Sequence, residues 1–230
     1  YRPSGALEIR QAGLEFDKMR KRIMRHLNQR SEMLSGISHD LRTPLTRMKL
    51  QVAFIKDEEL SKKLSQDIDE MEKMLNEYLK FTSSNYLEKN ETFDVSELMK
   101  SIINKYDNQN ISSELTLKVY MNGKKNLIQR SLNNLIDNAL KYAKKVNLQL
   151  SKKNNNILIT IDDDGQGIPE SEYENVFKPF YKIDKSRGET KSGVGLGLSI
   201  ASDIIKSHGG NIFLEKSYLN GLRVKIFLPV

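Results

Sequence analysis

The chain has no cysteine and no tryptophan among its 230 residues, and only three histidines and five prolines. Without cysteine there is no disulfide framework, no thiolate nucleophile and no cysteine-ligated zinc, a composition that suits a reducing compartment. No segment approaches the run of about 18 apolar residues that a membrane span requires. The N-terminus also lacks the basic-then-apolar pattern of a signal peptide. It begins at Tyr1 rather than at a methionine, so the sequence reads as a piece excised from a longer protein. What is present is 38% hydrophobic and 29% charged residues, the balance of a chain that builds one large or two modest domains. A formal charge of +7 favours acidic partners. The basic residues are scattered among acidic ones, however, so nucleic-acid binding is not expected.

The first third is helical by periodicity. Apolar residues recur in steps of three and four through Ile9, Ala12, Phe16, Met19, Ile23 and Leu27, then through Leu34, Ile37, Leu41, Leu45, Met48, Val52 and Ile55. Two consecutive four-residue steps before polar Arg30 and Ser31 break the heptad as a stutter does. Residues 56–59 read as a turn, after which Leu60, Leu64, Ile68, Met71, Leu75 and Tyr78 make a second stripe. The result is a helical hairpin. One hairpin has a single partner for its stripes, so dimerisation into a four-helix bundle is the expected solution, with packing on the downstream domain as the alternative.

Residues 82–90 are polar and aperiodic, as in a linker. Beyond them the pattern alternates. Asp94 or Ser96 is expected to cap a helix to Tyr106, and Asn126 one to Tyr142. Strands are expected at 115–120, 146–150, 157–161, 212–214 and 222–228, with a helix over 196–207 ending at Gly209-Gly210. The last two strands lie too close for a helical crossover, so the sheet is expected to be mixed or antiparallel.

Four stretches carry chemistry. In Ser38-His39-Asp40-Leu41-Arg42-Thr43-Pro44-Leu45, His39 lies about 200° around the helix from the seam residue Ile37, which aims its imidazole at solvent. Asp40 can orient that ring or take its proton, and Thr43 shares the exposed face. Pro44 removes a helical N–H and crowds the carbonyl of Asp40, so a bend is expected there. His26 and His208 read as surface residues. Asn134, Asn138 and Lys141 share one helical face with Tyr142 beside them, offering amide oxygens for Mg²⁺, an ammonium for phosphate and a ring for stacking. In Asp162-Asp163-Asp164-Gly165-Gln166-Gly167 a carboxylate can accept from an exocyclic amine, and the glycines allow close backbone approach. Gly193-Val194-Gly195-Leu196-Gly197 opens a helix and can cradle phosphate, although it is neither a Walker A loop nor a Rossmann turn. Taken singly, each has a plain reading as a surface histidine, a solvated helix face, an acidic turn or a glycine turn.

Taken in order, the four resemble the H, N, G1 and G2 boxes of the sensor histidine kinases of two-component signalling, most closely the EnvZ type, and residues 177–182 resemble the F box. The resemblance covers nearly the whole chain. It implies a multi-domain protein: an α-helical hairpin forming a dimeric four-helix bundle, followed by an α/β sandwich of the Bergerat type that binds ATP. The implied divisions are 1–25 for the end of a HAMP-like linker, 26–84 for the dimerisation and phosphotransfer hairpin, 85–90 for a linker and 91–230 for the catalytic domain.

The implied roles follow motif by motif. His39 would be the phosphoacceptor, Asp40 its acidic neighbour, and Thr43 a residue that positions water when the same enzyme dephosphorylates its partner. Asn138 would bind Mg²⁺ with Asn134 beside it, Lys141 a phosphate, and Tyr142 the adenine ring by stacking. Asp163 would read the adenine amine, with Gly165 and Gly167 lining the nucleotide. Gly193, Gly195, Leu196 and Gly197 would form the base of an ATP lid in which Lys185 or Arg187 reaches the γ-phosphate. ATP and Mg²⁺ are the implied cofactors. The implied partners are a second copy of the chain and a response-regulator receiver domain, with a membrane reached only through an N-terminal sensor part preceding these residues. Two other readings stay open: an ATPase of the same superfamily without a phosphohistidine, and a dimerising scaffold that has lost catalysis.

Overall fold

The computed structural model describes residues 7–83, 88–106, 110–153, 156–183 and 194–230. The chain divides into two compact units, residues 1–86 and 87–230.

The first unit is a hairpin of α1 (Leu7–Val52) and α2 (Glu58–Ser83). Leu45, Val52 and Ile68 are buried between the helices, with Ile55, Leu64 and Leu75 packed around them. All six belong to the two apolar stripes read from the sequence. Asp57 ends the turn by accepting the Leu60 N–H at 3.0 Å, an N-cap that satisfies one of the open donors of α2. Lys49 lies 2.7 Å from both Asp69 and Glu72 across the hairpin, and Arg42 donates to Asn76. α1 continues as a helix through Pro44. Just beyond it the Thr46 hydroxyl donates to the Arg42 carbonyl at 3.0 Å.

The second unit is built on a five-stranded sheet of order β2-β4-β5-β7-β6, formed by β2 (Ile111–Leu115), β4 (Val146–Lys153), β5 (Asn156–Asp163), β6 (Asn211–Lys216) and β7 (Leu222–Pro229). Only β2 and β4 run parallel, so the sheet is mixed as expected. Its strands alternate. Leu148 and Leu150, Ile157, Ile159 and Ile161, and Val224, Ile226 and Leu228 are buried, and successive strand residues point to opposite faces. Against this side pack α4 (Lys125–Tyr142) and α5 (Gly197–Ser207), which bury Leu132, Leu135, Ile136, Ile200, Ala201, Ile204 and Ile205. The short α3 (Val95–Ile103), capped by the Asp94 carboxylate on the Ser96 N–H, contacts α4. It also contacts a two-stranded ribbon of β1 (Glu91–Asp94) and β3 (Tyr120–Gly123).

Three expectations need correction. The strand expected over 115–120 is the connection between two strands: β2 ends at Leu115 and β3 begins at Tyr120. Lys118 lies in the left-handed region at φ 58°, and Leu117 is exposed, so the alternation there follows a bend rather than a pleat. Asn126 does not cap α4. It lies inside the first turn, and its backbone N–H is taken by the Glu88 carboxylate at 2.7 Å. His208 is not simply a surface residue. Its Nε2 accepts the Lys124 N–H at 3.0 Å and its Nδ1 lies 2.8 Å from the Ile204 carbonyl. An amide can only donate and a carbonyl only accept, so Nε2 takes the acceptor role and Nδ1 the donor role. One imidazole thus joins the start of α4 to the end of α5. Gly123 makes room for it, since a Cβ there would stand 2.8 Å from the ring.

Candidate active site

The C-terminal half of α4 is where the downstream motifs meet. Asn134 and Asn138 are half-buried one turn apart, and the Asn134 amide lies 3.5 Å from the Gly197 carbonyl at the start of α5. The two helices approach closely because small residues face each other, with the buried Ser131 hydroxyl 3.4 Å from the Ala201 carbonyl. At the end of α4 the Lys141 ammonium sits 5.0 Å from the centre of the Tyr142 ring, a cation–π contact. Tyr142 itself is 52% exposed, which leaves ring surface open for stacking.

Strand parity explains the next element. Asp163 continues the series Ile157, Ile159, Ile161 onto the helix-covered face, at the very end of β5, while Asp162 points to the other side. Asp163 is only 6% exposed. Its Oδ1 accepts from Gly165 N–H at 2.9 Å and Leu222 N–H at 3.0 Å. Burial pushes this carboxyl above the usual range; the two backbone donors oppose the rise, and the charges of Asp164 and Asp162 add to it.

The glycines of the motifs are consumed largely by the protein's own backbone. A Cβ on Gly165 would stand 2.9 Å from the Tyr142 carbonyl. Gly195, at φ 79°, lies under the F-box segment: its carbonyl accepts the Phe180 N–H at 3.0 Å, and a Cβ would meet the Tyr181 carbonyl at 3.0 Å. This hydrogen bond ties residue 180 to residue 195. Gly193, Lys185 and Arg187 lie outside the described residues. Gly167 is left-handed at φ 71°, facing Gly221. A Cβ on Gly197 would enter open space, its nearest neighbour being the Asn134 carbonyl at 4.0 Å. Leu196 is 1% exposed, so its side chain belongs to the core, and its carbonyl accepts the Ile200 N–H and the Ser199 hydroxyl, both at 2.9 Å.

His39, Asp40 and Thr43 follow one another within α1, and Asp40 and Thr43 are exposed. The His39 side chain lies outside the described set. Among the described residues no group of three or more His, Cys, Asp or Glu could hold a metal. The carboxamide oxygens of Asn134 and Asn138 are hard donors of the kind Mg²⁺ accepts when phosphate and water supply its other ligands.

Sequence reasoning missed Gly221. Its N–H donates to the Asp163 carbonyl at 3.2 Å, and with Leu222 it presses the β6–β7 turn onto the Asp163 segment. Asn220-Gly221 was legible as a hairpin turn, and Asn220 does take φ 76°. Nothing in the sequence said which carboxylate that turn would hold.

The family described as "Histidine kinase-, DNA gyrase B-, and HSP90-like ATPase" matches residues 123–230, and "His Kinase A (phospho-acceptor) domain" matches residues 29–86. Sensor histidine kinase GtrS of Pseudomonas aeruginosa is 37% identical over 228 residues, 98% of this chain and 47% of that protein. Sensor histidine kinase CpxA of Escherichia coli is 30% identical, over 99% of this chain and 53% of its own length. The chain thus spans about half the length of these relatives. Among solved structures, the catalytic domain of histidine kinase ThkA covers 61% of this chain and 95% of its own, with 26% identity and a TM-score of 0.52. Full-length ShkA, solved in complex with AMPPNP, covers 86% of this chain and 45% of its own at 19% identity and a TM-score of 0.65, a likeness of fold.

A phosphoacceptor-type helical hairpin followed by a Bergerat α/β sandwich defines a two-part kinase core with an ATP-binding domain. The chain belongs to the EnvZ-type sensor histidine kinases, a family of ATP-dependent protein-histidine kinases.

The buried Asp163 carboxylate yields a pH prediction. A carboxyl whose folded value is raised favours the folded state when protonated, and that contribution is lost as pH rises through the raised value. A ligand that needs the ionised form responds in the opposite sense. On the role the resemblance implies for Asp163, acceptor for the adenine amine, ATP affinity is expected to fall on acidification, starting above the usual carboxylate range. Asp163→Asn is expected to bind roughly tenfold to a hundredfold more weakly, the cost of a lost charged acceptor, and to show no such acid limb. Calorimetric titration with ATP across pH checks both.

Proposed function

We propose that this chain is the catalytic core of a sensor kinase that phosphorylates its own His39 from ATP and relays the phosphoryl group to an aspartate on a response-regulator receiver domain. One observation carries the reading: in the same chain as an ATP-binding unit there is a helix on which a histidine, Asp40 and Thr43 follow within about one turn.

In the forward step a ring nitrogen of His39 attacks the γ-phosphorus in line. The bond between that phosphorus and the β–γ bridging oxygen breaks, ADP departs with the electron pair, and the ring proton passes to Asp40. Lys141 holds a phosphate, Tyr142 and Asp163 the base, and the backbone from Gly193 to Gly197 the phosphates. Lys185 or Arg187 reaches the γ-phosphate from the lid. Asn138 with Asn134 would hold Mg²⁺, which supplies positive charge against the phosphates. The phosphoramidate on His39 is labile, so it serves a relay rather than a store. In the reverse role, dephosphorylation of the regulator, Thr43 positions the attacking water.

The hairpin supports the homodimer. Its helices count 46 and 26 residues, yet among the described side chains only Leu45, Val52 and Ile68 form its buried core. Ile37, Leu41, Met48, Leu60 and Met71 remain exposed on it. A second copy that completes a four-helix bundle would bury these positions. The domain divisions proposed are those of the motif reading, with a membrane-bound sensor part preceding this core.

The test is incubation of the chain with γ-labelled ATP and Mg²⁺. An acid-labile, base-stable label is expected on the native chain and none above background on His39→Gln. A label that persists in the variant, or never forms on the native chain, rules the proposal out.

A further inference from the structure

Asp162, Asp163 and Asp164 are adjacent in sequence and do three different things. Asp162 faces the outer side of the sheet, and Asp163 sits at the nucleotide end. Asp164 serves the backbone that follows α4: its Oδ1 accepts both the Lys144 N–H and the Lys145 N–H at 2.8 Å, and its own N–H donates to the Lys145 carbonyl at 3.2 Å. Those amides, Lys145 first, hold its carboxyl below the usual range.

The two amides it collects come directly after the helix end. α4 finishes at Tyr142, and the Ala143 N–H returns to the Ala139 carbonyl at 2.9 Å. Val146 then opens β4 opposite Asp163. The last turn of α4 therefore reaches the sheet through three residues, two of them fastened to one carboxylate oxygen. The next residue, Gly165, rests against the Tyr142 carbonyl so closely that a Cβ would stand 2.9 Å from it. Between Tyr142 and Asp163, then, the spacing is set by the Asp164 carboxylate on one side and the missing Gly165 side chain on the other.

We propose that Asp164 is a positioning residue that sets base selectivity, by holding Tyr142 at a fixed distance from the Asp163 carboxylate. This rests on the reading of Asp163 and Tyr142 as the adenine contacts. Adenine presents an amine to a carboxylate, while guanine presents a carbonyl oxygen at the same edge, which a carboxylate repels. A hydrogen bond separates the two bases only if the stacked ring cannot slide away from it. Without the Asp164 carboxylate the segment 143–145 loses the acceptor of two of its amides, and the base can shift until neither the attraction nor the repulsion is fully felt.

The experiment measures dissociation constants of Mg-ATP and Mg-GTP for the full chain by calorimetry, with a thermal melt for each variant. The native chain is expected to prefer ATP. Asp164→Asn keeps the Oδ1 acceptor and is expected to keep that preference within about twofold. Asp164→Ala is expected to lower ATP affinity about tenfold and GTP affinity by less than about twofold, so the preference shrinks about tenfold. A purely structural role would weaken both nucleotides in parallel, and that result, or an unchanged preference, overturns the proposal. If Asp164→Ala does not fold, Asp164→Thr, whose hydroxyl reaches one amide, takes its place. An intermediate preference supports the proposal and a native one overturns it. A native chain without ATP preference would instead refute the adenine reading of Asp163, before any variant is made.

Discussion

Gly221→Ala is expected to weaken ATP binding more than a hundredfold. A Cβ on Gly221 would stand 2.5 Å from the Gly165 nitrogen and closer still to the Oδ1 and carbonyl oxygen of Asp163. None of these is the free end of a flexible side chain. Two are backbone atoms at the end of β5, and the third already accepts hydrogen bonds from Gly165 and Leu222. Relief requires the β6–β7 turn to lift away, which breaks the Gly221 N–H bond to Asp163 and loosens the Leu222 one. Overpacking of a tight site costs about 1–3 kcal/mol, and a clash with backbone lies at or above the top of that range. Read as affinity, about 3 kcal/mol is more than a hundredfold. Titration of the variant with ATP, alongside a melt to show that the rest of the unit stays folded, tests it. Native affinity in the variant would mean that the turn does not hold the carboxylate.

The same residue shows where sequence reading stops. The hairpin was legible because a 3.6-residue period needs no tertiary context: Leu45, Val52, Ile55, Leu64, Ile68 and Leu75 stood in the stripes and stand in the core. The ends of β4, β5, β6 and β7 were legible within a few residues for a similar reason, since a two-residue period marks a half-buried strand. The failures share a cause. Through Leu117 and Lys118 the alternation persisted while the backbone turned left-handed at Lys118. His208 looked like a polar residue at a helix end, and its bond to Lys124 spans 84 positions. Glu88 on Asn126 and Leu222 on Asp163 span 38 and 59. Local patterns identify elements and motif residues. Which distant amide satisfies a given side chain depends on sheet order, and that order follows from the whole chain.

Sheet order also sets the second large effect. Asp162 on β5 lies directly opposite Arg223 on β7, on the face that α4 and α5 leave uncovered. Asp162 is 0% exposed all the same. Its Oδ1 accepts from Arg223 Nε at 2.7 Å and from the Ser217 hydroxyl at 2.9 Å, while its Oδ2 has no partner among the described residues. The carboxylate beside it raises the Arg223 guanidinium further. Arg223 also lies over the Tyr218 ring at 5.5 Å, and the Tyr218 hydroxyl accepts from Asn147, so the aromatic ring helps screen the pair from water. Arg223→Met keeps the side chain's length but leaves Asp162 without its counter-charge. The cost of breaking a buried pair is about 3–5 kcal/mol, and the lower end applies because 26% of the Arg223 side chain reaches solvent. A loss of about 3 kcal/mol is a large share of the stability of a domain this size, and is read from the denaturant midpoint. Removing both charges should cost far less than the sum of the single changes. Asp162→Val with Arg223→Met is expected to recover to within about 1–2 kcal/mol of the native chain, because the penalty comes from the unpaired carboxylate rather than from the lost attraction. Strict additivity of the two substitutions would show that the pair is energetically uncoupled.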